Sequence, residues 1–369
     1  MRRLILLLAV LLCGFGAGGA QSANKPGVAG GTPGKTAKPV VASTPAQNGA
    51  VVVSITSATE GAAIRYTLDG SAPSAASAIA YVAPFLVASK ATVSAQATSQ
   101  GMAASPISTL PLAPKVAPGA LVWSDEFSNS TKANAAPNAQ IWGYDTGNSG
   151  FGNQELETYC EWASSAAPCD AANPNVYEDA SGILHIVARK PSAAVYTSAR
   201  LKTQGLFSFQ YGRIEARMKL PESQGMWPAF WLLGNNINAV DWPACGELDV
   251  MEHIDGSKPQ NWGYDWVQGS VHGKGLNGGT QYHPANFSAA DWHTYGMIWT
   301  KGKIQYYVDD PANIYATFTP ADGGMWPFDA GPEFIILNLA VGGSWPGLPD
   351  DSTVFPSEVL VDYVRIYSN

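Results

Sequence analysis

The chain has 369 residues, enough for two or three folded units, and its 46% hydrophobic and 14% charged residues exclude a disordered or coiled-coil chain. Its 21 basic and 29 acidic residues leave a net charge of −8, and a negative surface argues against nucleic acid and anionic membrane as partners. Glycine (38) and proline (26) recur too often for long helices and predict many short strands. At the start, Met1-Arg2-Arg3, an apolar run over 4–12 and Gly18-Gly19-Ala20 follow the order of a secretory signal over 1–20. Bulky Leu12 before Cys13 argues against lipidation, and no later apolar run reaches the 18 or so positions of a spanning helix. The expectation is a secreted monomer, extracellular or periplasmic, with no membrane partner once the signal is cleaved.

Residues 21–118 hold three aromatics, Tyr66, Tyr81 and Phe85, and no Trp, whereas 119–369 hold all 12 Trp. That shift marks a domain boundary. We read 21–44 as a linker, 45–112 as a small β-sandwich module, 113–119 as a Pro-rich linker and 120–369 as the main all-β domain. In the module, β-branched runs at 51–55, 63–67 and 91–97 predict strands, and Leu68-Asp69-Gly70-Ser71 predicts a turn. The stretch IRYTLDGSAPS resembles the all-β modules beside catalytic domains in chitobiases. Lacking Trp to stack on a sugar, the module reads as a spacer rather than a carbohydrate-binding unit.

In the main domain, Cys160 and Cys169 bracket a turn and are expected to pair in an oxidising compartment. Cys245 is left over and reads as a buried, inert thiol rather than a nucleophile. Residues 211–220 alternate, with Ile214, Ala216, Met218 and Leu220 on one face and Arg213, Glu215 and Arg217 on the other; 334–341 and 360–367 are further strands. A sandwich of two sheets is the natural architecture.

The segment Cys245-Gly-Glu-Leu-Asp-Val-Met-Glu-His253 is the most informative. A regular strand puts Glu247 and Asp249 on one face and Glu252, five residues from Glu247, on the other. One extra residue at Met251, taken up as a β-bulge, returns Glu252 to its companions. Three carboxylates then share a face, which suits glycoside hydrolysis, where a retaining enzyme places two carboxyls about 5–5.5 Å apart. A solvated acidic face is the plain alternative. A metal site using His253 is disfavoured because the bulge turns that residue away. Aromatics flanking the strand favour a glycan cleft, since Trp stacks on pyranose faces. Trp227, Trp231, Trp242 and Trp345, each near Pro or Gly, are the expected lining. His272 is placed near Glu252, and Asn153 and Arg213 are further candidate substrate contacts.

WSDEF at 123–127, GNQELETY at 152–159, YGRIEARMKLPESQGMWPAFWLLG at 211–234, WPACGELDVMEH at 242–253, ILNLAVGGSWPG at 336–347 and VDYVRIY at 361–367 together resemble glycoside hydrolase family 16, most closely its bacterial laminarinases. The resemblance implies a β-jelly roll and retention of anomeric configuration, with Glu247 as nucleophile, Asp249 as assisting acid and Glu252 as general acid/base. It implies no catalytic cofactor and a structural Ca2+ held by Asp362 with main-chain oxygens near Glu126 and Gly182. The expected substrate is β-1,3-glucan. Mixed-linkage glucan, agarose and carrageenan remain alternatives, as do transglycosylation and a glucan-binding lectin.

Overall fold

The structure, a computed structural model, describes residues 34–74, 78–128, 132–254 and 265–369; the signal expected over 1–20 lies outside them. Among the described residues nearly all of the regular structure is strand, with three short 3-10 helices and one four-residue α-helix at Ile237–Val240. It forms a β-jelly-roll sandwich preceded by a small β-sandwich.

In the small unit, Val40–Pro45, Val51–Thr56 and Phe85–Val87 form one sheet, and Ile79–Ala80, Ala63–Thr67, Ala91–Thr98 and Ser108–Leu112 form the other. The sheets close on Val53, Ile55, Tyr66, Phe85, Val93 and Ala95, with Tyr66 stacked on Phe85 at 4.6 Å. One expectation needs correction. The linker assigned to 21–44 takes in the first five residues of the strand Val40–Pro45, which pairs along its whole length with Val51–Thr56. It is an exposed edge strand, so it carries no apolar alternation.

The small unit is joined to the large one through both main-chain and side-chain contacts. Leu86 N–H donates to Ser208 O (3.0 Å) and Ser208 N–H to Pro84 O (3.0 Å). Gln47 Nε2 donates to Ser124 Oγ and Asn48 Nδ2 to Leu121 O. Ala50 is fully buried in the core of the large sandwich.

In the large unit a seven-stranded sheet runs in the order Leu276–Tyr282, Val267–Gly273, Glu247–Glu252, Met226–Gly234, Glu333–Val341, Arg200–Lys202, Gly143–Asp145. It packs on a ten-stranded sheet in which Gly212–Lys219 lies between Ser357–Tyr367 and His293–Thr300. The alternation read over 211–220 is realised: Ile214, Ala216 and Met218 are fully buried between the sheets. Ile214 and Met218 each contribute about 1.5–3 kcal/mol by leaving water.

The central strand Glu333–Val341 is buried throughout. Ile335, Leu337, Leu339 and Val341 face the main core. On its other face Phe334 and Ile336 form a second apolar cluster with Leu233 and Cys245, while Asn338 and Ala340 border an open cavity. The apolar patch thus fills one end of that sheet face and leaves the rest as a cleft.

Candidate active site

The acid strand Glu247–Glu252 pairs with Met226–Gly234 on one side and Val267–Gly273 on the other. Leu233, Leu232 and Trp231 oppose Glu247, Leu248 and Asp249 in order, but Phe230 opposes Met251 and Ala229 opposes Glu252. On the far side Asp249 meets Ser270 and Glu252 meets Gln268, so Val250 and Met251 together span Gly269. This is the expected bulge, with the unpaired residue at Val250, one position before the expected Met251. Leu248, Val250 and Met251 all enter the core, while Glu247, Asp249 and Glu252 all border a cavity of about 320 Å³. Gly269 is needed opposite the bulge, because a Cβ there would come within 2.6 Å of both Tyr306 and Tyr315.

Each acid has its own partners. Glu247 Oε2 accepts from Trp242 Nε1 (3.0 Å). Glu252 accepts from Trp227 Nε1 at Oε1 and Ser270 Oγ at Oε2, both 3.2 Å. His272 Nε2 lies 3.1 Å from Asp249 Oδ2 and 3.8 Å from Glu247 Oε1. His272 therefore belongs beside Glu247, its cross-strand partner, and Asp249. It makes no hydrogen bond to Glu252, but the two border a common cavity, so the expected proximity holds.

Burial pushes all three carboxyl groups above their usual range, and mutual repulsion adds to it for Glu247 and Asp249. His272 works against this at both Glu247 and Glu252, helped by Trp242 N–H at Glu247 and by Trp227 and Ser270 at Glu252. So the cluster holds protons that isolated acids would lose, as a carboxyl proton donor requires.

Trp227, Trp231 and Trp242 border the acid cavity, and Trp227, Trp242, Trp345 and His272 border an adjoining one of about 650 Å³. Trp345 meets Trp227 edge to face at 5.3 Å. Trp242 is 58% exposed, a large ring left open to a ligand. Asn153 lies at the cleft wall and donates to Glu155 Oε1 (3.1 Å).

Arg213 is not in the cleft. It lies on the ten-stranded sheet, hydrogen-bonded to Glu215 and to Tyr307 Oη and stacked on Tyr367 at 3.7 Å. Alternation gives a residue its face, not its sheet. The cleft arginine is Arg200, which stacks on Trp231 at 4.6 Å and on Phe151 at 5.2 Å and approaches Asp145 at 3.0 Å. Sequence reasoning missed it because it sits on a three-residue strand too short to show a period.

His253 is buried and paired through Nδ1 with Trp266 O, away from the acids, as expected. Cys160 and Cys169 form the expected disulfide. Cys245 is buried, and burial pushes its thiol up to about 12, so it is not a nucleophile at neutral pH. Among the described residues, Glu247, Asp249 and His272 offer ligand atoms within 4.8 Å of one another.

Two stretches match known families. Residues 164–365 match glycosyl hydrolases family 16, and residues 43–109 match the chitobiase/beta-hexosaminidase C-terminal domain. A beta-glucanase of Rhodothermus marinus is 39% identical over 264 residues, 67% of this chain and 84% of the relative. The laminarinase catalytic domain of Thermotoga maritima superposes with a TM-score of 0.58 at 36% identity, over 69% of this chain and 99% of that domain. An endo-beta-1,3-glucanase of Pyrococcus furiosus gives 0.57 at 39% identity, over 68% and 94%. With three carboxyl groups gathered in a Trp-lined cleft on a matching jelly roll, the chain belongs to glycosyl hydrolases family 16.

Proposed function

We propose that the chain is a secreted endo-acting hydrolase of β-1,3-glucan that works by double displacement with net retention. The observation that carries this reading is the bulge that brings Glu252 onto the face of Glu247 and Asp249 in one cavity. The named relatives above support the linkage.

Glu252, raised by burial, donates its proton to the leaving glycosidic oxygen while Glu247 attacks the anomeric carbon. Between Glu247 and Asp249 the charge sits better on Glu247: its side chain is 18% exposed against 4% for Asp249, and it accepts the Trp242 N–H. Asp249 holds a proton between its neighbours and limits repulsion. Water deprotonated by Glu252 then attacks the same carbon and frees Glu247. Glu247→Gln should abolish release of reducing ends from laminarin and leave the melting temperature close to that of the parent; near-normal hydrolysis would remove the nucleophile assignment. Sizing of products from laminarin, lichenan and agarose tests the substrate, and glucan binding without any product would favour the lectin reading.

The chemistry calls for no catalytic cofactor. For the structural Ca2+, a Cβ on Gly182 would lie 3.4 Å from Glu126 O, so those two main chains converge. Asp362 Oδ2 accepts from Arg217 (2.7 Å) and would have to leave it to join them. Three oxygens plus water suit a hard cation, which would brace this edge and take no part in a reaction step. A fall in melting temperature with chelator is the expected sign. Secretion rests on the signal-like start and the disulfide.

A further inference from the structure

Beside the cleft lies a second pair of acids that the mechanism does not use. Glu157 is fully buried; its Oε2 accepts from Val341 N–H (2.7 Å), while its Oε1 has no hydrogen-bond partner. The Glu155 carboxyl is within hydrogen-bonding reach of it. Glu155 in turn accepts from Asn153 Nδ2 at Oε1 and from Tyr159 Oη at Oε2 (2.9 Å). Tyr159 Oη accepts from Asn338 Nδ2 (3.2 Å), and Asn338 Oδ1 accepts from Trp231 Nε1 (2.8 Å). One unbroken chain of hydrogen bonds therefore runs from Glu155 to the Trp231 ring, and a branch holds Asn153.

Two carboxyls in contact without a proton between them would repel, and the orphaned Glu157 oxygen would stay buried and unsatisfied. We propose that Glu155 and Glu157 share one proton, donated by Glu157 to Glu155, and that this bond positions Trp231 and Asn153 in the wall of the glucan cleft. Glu155 and Glu157 are positioning residues, since they act through the tyrosine, the asparagines and the indole rather than on the reacting carbon. The facing titratable groups are Glu155, Tyr159 on the same strand and Arg200, which acts on Tyr159 from the adjacent sheet. Burial first, then Glu155, push Glu157 up to about 8, so the bond is intact at neutral pH and lost above it.

The cleft assignment rests on the glucanase reading, and the test separates the two. Infrared difference spectra of the parent and Glu157→Gln, taken at pH 6 and pH 9.5, need no substrate. The parent should show a protonated buried carboxyl that disappears at the higher pH and is missing from the variant, whose amide N–H supplies the donor permanently. In laminarin kinetics the parent KM should rise about tenfold, the weight of one hydrogen bond, between pH 7 and pH 9.5. Its kcat should change less than its KM, and the KM of Glu157→Gln should stay flat across that range. Glu157→Leu, with no donor, should show the raised KM at every pH. No carboxyl band lost in Glu157→Gln, or the same alkaline rise in KM with and without Glu157, would overturn the proposal. A carboxyl band that behaves as expected in a protein inactive on laminarin would uphold the shared proton and count against the substrate instead.

Discussion

Deleting Val250 tests the bulge directly. In the observed register Val250 alone has no partner on Met226–Gly234; the residues around it pair consecutively from Leu233 with Glu247 to Ala229 with Glu252. Without Val250 the sequence reads Glu-Leu-Asp-Met-Glu, a regular alternation in which the three acids keep both their face and their cross-strand neighbours. The loss is one side chain that is 1% exposed in the core, about 2–4 kcal/mol including the void left behind. Restored ladder bonds return about 1 kcal/mol each. The net destabilisation of about 1–3 kcal/mol should lower the melting temperature by several degrees. Differential scanning calorimetry reads that shift, and release of reducing ends from laminarin should persist, within about a hundredfold of the parent. A deletion variant that melts as expected yet is as inactive as Glu247→Gln would refute the reasoning, because the acids would then need the twist of the bulge and not only its parity.

Three further outcomes are expected. Trp242→Phe keeps a ring at the cleft rim but removes the N–H that holds Glu247 down. Glu247 should titrate still higher, so the acidic limb of the kcat/KM profile should move to higher pH while the alkaline limb stays; an unmoved acidic limb would count against the assignment. Arg213→Ala should leave KM for laminarin unchanged and cost about 1.5–3 kcal/mol in urea unfolding, because buried Glu215 loses its cationic partner. Ala50→Glu forces a charge into the joint between the units and should split a single calorimetric transition into two; two transitions in the parent would show that the units melt independently.

The sequence made the acid cluster legible through a violation of parity: Glu252 lies five positions after Glu247, an odd spacing that puts the two on one face only if the strand takes up one extra residue. It could not say which, since Val250 and Met251 are both apolar and both enter the core. The partner of His272 was hidden because it depends on register between strands, which no single segment encodes. Arg213 was misplaced because alternation does not name the sheet, and Arg200 was missed because three residues show no period. The strand Val40–Pro45 hid among Pro, Lys and Thr because an exposed edge has no apolar face to display. The strands at 211–220 and 360–367 were plain because each buries one face in the same core, and 334–341 because its nearly continuous apolar run is buried on both faces.

The contact between Pro84–Leu86 and Ser208 is made by peptide groups, and Phe209 next to it pairs with Glu333, the first residue of the central strand. That part of the joint is set by backbone rather than by side-chain identity, while Gln47, Asn48 and buried Ala50 make the rest of it specific. A graft of a different small β-unit onto this scaffold would need a backbone that presents an extended donor–acceptor edge at Ser208 and, at the second contact, side chains that replace Gln47, Asn48 and Ala50.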